Sequence, residues 1–147
     1  MNDIGVNETF INTAYTGSMG IPIGLIYGDS GLRLELLKEP LCGYFYKCIF
    51  VESKEFIERY SAVLPSFKRI EENILLSVKR LSTVDIKEFT IVRLGKSYTI
   101  EMELVNTAAA NTLKLMPGVM KSSGRRVNEQ FNDFKKLMNF IIAAVYL

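Results

Sequence analysis

Two short stretches of this 147-residue chain have the residue types of known chemistry. Gly28-Asp29-Ser30-Gly31 is how a nucleophilic serine is often presented, and Gly95-Lys96-Ser97 has the ending of a phosphate-binding loop. A serine hydroxyl attacks only after a base takes its proton, normally a histidine, and the chain contains no histidine. Asp-Ser-Gly is also good turn chemistry, because glycine accepts positive φ while Asp and Ser bond nearby backbone. Ser30 is therefore expected in a hairpin turn. The phosphate loop fails on two counts. It needs a glycine at the position of Thr90, and it must open a helix, whereas both flanks of Gly95 read as strands. Lys96 is expected at a hairpin tip.

The remaining reactive groups form no constellation. Glu71 and Glu72 are adjacent, and adjacent helical residues do not face each other. Glu101 and Glu103 share one face of a strand pattern, which a solvated sheet surface explains. Cys42 and Cys48, the two cysteines, lie in "LCGYFYKCIF". On a strand they would sit roughly 20 Å apart, beyond the about 7 Å that a disulfide allows. They read as buried thiols of a reduced, cytoplasmic protein. Their spacing, with no histidine to help, does not make a zinc site. No cofactor, no metal and no enzymatic activity are expected.

The elements that would position any site follow from periodicity. Residues 1–20 are rich in Asn, Thr, Gly and Ser and read as a polar arm or edge strand, with one domain over 21–147. Leu32, Leu34 and Leu36 alternate with Arg33 and Glu35, predicting a hairpin around the Gly-Asp-Ser-Gly turn. "GYFYKCIFV" reads as a strand covered on both faces. Phe56, Ile57, Tyr60, Val63 and Leu64 follow helical spacing behind Ser53 as N-cap. Phe67, Ile70, Ile74, Val78 and Leu81 mark a second amphipathic helix. "VDIKEFTIVRL-GK-SYTIEMELV" predicts a hairpin with Ile91 opposite Ile100, a register that also sets Glu88 against Glu103. A short helix is expected in "NTAAANTLKLM" before Pro117-Gly118, and a long one at the end of the chain. The expected class is α+β: an antiparallel sheet of two hairpins plus a buried strand, packed against amphipathic helices.

Two regions suggest function. Phe131, Phe134, Met138, Ile141 and Val145 make a heptad seam, and from Leu137 onward, Ile142 included, the helix is apolar on nearly every side. That seam is expected to meet another protein or a second copy. The net charge is only +2, yet residues 107–147 hold six of the basic residues and two of the acidic ones. Lys121, Arg125, Arg126, Lys135 and Lys136 could contact an anion or nucleic acid. The longest apolar run, "FIIAAVYL", is too short to span a bilayer, which takes about 20 residues. These features predict a non-catalytic, protein-binding module: a small adaptor, regulator or chaperone-like protein, homodimeric. The alternative is a nucleic-acid-associated regulator using residues 121–136.

Overall fold

The structure, a computed structural model, describes residues 1–58 and 61–147. The fold is α+β, with an antiparallel sheet, flanking helices and a C-terminal helix. The chain divides into two compact units, Met19–Val92 and a second built from Met1–Ser18 with Arg93–Leu147.

In the unit Met19–Val92, strand β1 (Leu25–Gly28) pairs in parallel with β2 (Ile49–Glu52), Leu25 opposite Ile49. A parallel pair cannot be closed by a tight turn, and the intervening chain supplies helices α2 (Ser30–Leu36) and α3 (Cys42–Phe45). The hairpin expected around Ser30 is thus replaced by a strand-to-helix junction. Asp29 decides this: its Oδ1 accepts the Leu32 backbone N–H at 2.8 Å and caps α2. A strand would put Leu32, Leu34 and Leu36 on one face, but Leu36 is 2% exposed and Leu34 63%. The stretch "GYFYKCIFV" likewise divides into α3 and β2, so the two cysteines do not share a strand.

The helix expected over residues 53–64 is a hairpin of β3 (Glu55–Glu58) and β4 (Ser61–Val63), with Glu55 opposite Val63. Ser53 cannot cap a helix here, because its N–H donates to the Gly28 carbonyl at 2.7 Å and continues the parallel ladder. Tyr60, counted in that helical spacing, lies outside the described residues. Helix α4 (Phe67–Leu81) forms where periodicity places it, with the Ser66 hydroxyl accepting the Arg69 N–H at 3.3 Å. Ile70, Ile74 and Leu81 are half-buried, while Phe67 is exposed.

In the other unit, β5 (Tyr98–Glu103) pairs antiparallel with β7 (Arg126–Phe131), and β6 (Met120–Lys121) pairs with the other edge of β7. The expected partner of β5, residues 84–94, contributes no strand; Ile86–Glu88 is a short 3₁₀ turn capped by Asp85. The register found sets Glu103 opposite Arg126, an attractive pair where the expected hairpin set two glutamates together.

The segment anticipated as a polar arm contains helix α1 (Glu8–Ser18), begun by the Asn7 Oδ1 accepting the Phe10 N–H at 2.9 Å. Phe10, Thr13, Ala14 and Gly17 are its buried face; small and polar types disguise the helical period. Asn2 ties the chain to the edge of β5, donating from its N–H to the Thr99 carbonyl and accepting the Thr99 N–H at its Oδ1, both at 2.8 Å. Helix α5 (Thr107–Leu113) is capped by Asn106 and buries Ala109, Ala110 and Leu113. The chain closes with α6 (Phe134–Val145), shorter than expected because Phe131 belongs to β7. Among the described residues no helix is long and apolar enough to cross a membrane.

Candidate functional site

Helix α6 begins at Asp133, whose Oδ1 accepts the backbone N–H groups of Lys135 at 2.7 Å and Lys136 at 3.2 Å. Its inner face is Phe134, Leu137, Phe140 and Ala144. The Phe134 ring lies 4.8 Å from that of Tyr98 and 5.9 Å from that of Tyr15, and Phe131 lies 5.4 Å from Phe140. So the anticipated seam is split. Phe131 and Phe134 are core residues of their own unit, Met138 and Ile141 are half-buried, and Ile142 and Val145 are exposed. Where a helix is apolar all round, its period cannot say which stripe faces inward. With Ile11 of α1 and Tyr146, those last four line an open, mostly apolar groove of about 570 Å³.

The basic residues are largely occupied. Arg125 Nη2 donates to Glu103 Oε1, Arg126 Nη2 lies 3.2 Å from Glu103 Oε2, and Arg126 Nη1 lies 3.9 Å from Glu101 Oε1. Lys121 Nζ donates to Asn111 Oδ1 at 2.6 Å. Lys135 and Lys136 are exposed on the first turn of α6. The carboxylates of Glu101 and Glu103, which share one face of β5, are partners of Arg125 and Arg126, so this part of the β5–β7 surface carries compensated charge.

At the ends of the parallel strands, Ser30 opens α2 and donates its N–H to the Lys54 carbonyl at 3.1 Å. Lys54 Nζ lies 3.8 Å from Asp29 Oδ2, and Arg33 Nη1 lies 3.9 Å from Glu52 Oε2. Lys54 is thereby paired with a carboxylate at this junction. Gly95 does adopt a positive φ of 88°, but the chain after it enters β5, and Gln130 Nε2 donates to the Ser97 hydroxyl at 2.6 Å. Lys96 is followed by a strand rather than by the helix that a phosphate loop opens.

Both thiols are held protonated. Cys42 Sγ donates to Glu39 Oε1 at 2.7 Å, and that bond, more than the slight burial, raises its pKa. Cys48 Sγ donates to the Ile23 carbonyl at 3.0 Å, and burial pushes its pKa up to about 11. Among the described residues no three His, Cys, Asp or Glu side chains gather closely enough to hold a metal ion.

The architecture that carries these groups has a counterpart among solved structures. It is similar to the solved structure titled "Zn-dependent D-aminopeptidase DppA from Bacillus subtilis, a self-compartmentalizing protease", with a TM-score of 0.81 and 17% identity. The similarity covers 99% of this chain and 53% of that one, so the chain spans about half the length of that relative. Residues 1–143 match the family Peptidase_M55, D-aminopeptidase, and the chain belongs to this family. No curated protein matches it.

Membership of a peptidase family overturns the expectation of a non-catalytic adaptor, regulator or chaperone-like protein, together with its nucleic-acid alternative and the absence of enzymatic activity. Sequence reasoning missed the family because it looked for a complete catalytic set within these residues. The zinc in the relative's title does not fit the side chains present here: there is no histidine, and both cysteines are kept as neutral thiols.

Proposed function

We propose that the chain works in a D-aminopeptidase, hydrolysing the first peptide bond of substrates that begin with a D-residue. The observation that carries this is the family match over residues 1–143, which runs through both structural units. The test is selectivity. Native protein, purified through a tag on this chain without dissociating what it assembles with, is assayed with D-alanyl- and L-alanyl-p-nitroanilide. Faster release from the D-epimer is expected. Preference for the L-epimer, or cleavage of neither, sinks the reading.

Copies of the chain associate in this reading, in keeping with the relative titled self-compartmentalizing. The support within the chain is the groove between α1 and α6, where Ile142 is 49% and Val145 73% exposed. Large apolar side chains in one stripe favour being covered, each by about 1.5–3 kcal/mol when fully buried. Of the residues anticipated at an interface, Met138, Ile141, Ile142 and Val145 remain candidates. Phe131 and Phe134 would support that face from beneath. Two free cysteines are consistent with a reducing, cytoplasmic setting.

A further inference from the structure

We infer that the zinc of a D-aminopeptidase built with this chain is held by residues outside residues 1–147. The inference rests on the proposed function and concerns where the metal sits. Catalytic zinc sites use three protein ligands drawn from histidine nitrogen, cysteine thiolate and carboxylate oxygen, all of them deprotonated. Histidine is absent from the sequence. Each thiol would have to lose a proton against its surroundings. Cys42 points its S–H at the Glu39 carboxylate, whose negative charge opposes a neighbouring thiolate, and Cys48 points its S–H at a backbone carbonyl.

Carboxylates remain, and those at the two polar clusters are already paired. Glu103 is met by Arg125 and Arg126, Glu101 by Arg126, Asp29 by Lys54 and Glu52 by Arg33. A cation bound to each of these acids repels a dication arriving at the same oxygen atoms. The groups are also dispersed, since no three of the relevant side chains converge among the described residues. The solved relative, by its title zinc-dependent, has roughly half its length without a counterpart here.

The test is zinc titration of the purified 147-residue chain against a chromophoric chelator, beside metal analysis of the native assembly. The expected result is no zinc bound by the chain at a Kd of about 1 μM or tighter. Zinc should co-fractionate only with assemblies containing further polypeptide. One zinc per chain at that affinity overturns the inference. The double variant Cys42→Ser/Cys48→Ser then reports whether thiols or carboxylates supply the ligands. Neither measurement reads D-selectivity, so failure here and failure of the D-aminopeptidase reading are separate results.

Discussion

Glu103 stands directly opposite Arg126 across the β5–β7 ladder, and its carboxylate takes Arg126 on one oxygen and Arg125 on the other. One acid thus holds two of the cations that the sequence singles out as an anion-binding patch. The side chains are about half exposed, so solvent screens the pair and its worth is modest.

Reversing Glu103 to Lys should destabilise the chain by about 0.5–1 kcal/mol, and adding Arg126→Glu should recover part of that loss. Urea unfolding of the two single variants and the double variant measures the coupling. Equal and additive losses would mean that the pair contributes nothing beyond each residue alone.

Leu137 and Ile142 differ by less than two helical turns but stand in opposite environments, fully buried and 49% exposed respectively. Leu137→Ala should cost about 2–5 kcal/mol through lost burial and a residual cavity. Ile142→Ala should cost well under about 1 kcal/mol in the dissociated chain. Unfolding midpoints at low protein concentration separate the two. Similar costs would contradict the orientation of α6.

Val145→Asp, with 73% of the wild-type residue exposed, should leave the fold intact while lowering the molar mass of the native assembly. Light scattering across a dilution series reads this, with circular dichroism as the check on folding. An unchanged mass would count against the proposed contact between copies at the α1–α6 groove.

Cys48 titrates near 11 in the folded chain against an ordinary thiol value of 9.0. The folded state therefore keeps its proton in a pH range where the unfolded chain has lost it. This raised pKa gives stability that is fully present below pH 9 and fades as pH climbs from 9 towards 11. The urea midpoint should fall across that window more steeply for wild type than for Cys48→Ala. Alkylation of Cys48 at pH 8 should be slow for the same reason.

A helix with one clear apolar stripe is legible in the sequence. The spacing of Phe67, Ile70, Ile74 and Leu81 places α4, and α5 falls within the stretch before Pro117-Gly118 that reads as a short helix; their caps, Ser66 and Asn106, come from the structure. Helix α2 was not, because seven residues with leucines at alternate positions fit a strand equally well until Asp29 is seen bonded to Leu32. Helix α1 was missed because Thr13, Ala14 and Gly17 carry its inner face without large apolar side chains. Strand pairing was the least legible feature. The partner of β5 lies beyond α5 in sequence, and a nearer stretch with strand-like alternation competed for it on paper. As for the site, the missing histidine was plain from the start, but it bears only on the ligands within these residues. Family membership rests on a sequence match that extends over residues 1–143.

The order in which the ribosome releases this chain matters for one of its helices. Tyr15 on α1 finds its ring partner in Phe134 on α6, and the rest of their unit is Arg93–Leu147. Met19–Val92 can thus be complete while Phe10 and its neighbours still lack the sheet and helix that cover them. At about 5–20 residues per second, residues 93–147 take on the order of 3–10 s to emerge. For that interval the inner face of α1, Phe10 included, lacks the residues that bury it. Residues 8–18 are thus made well before the residues that bury them.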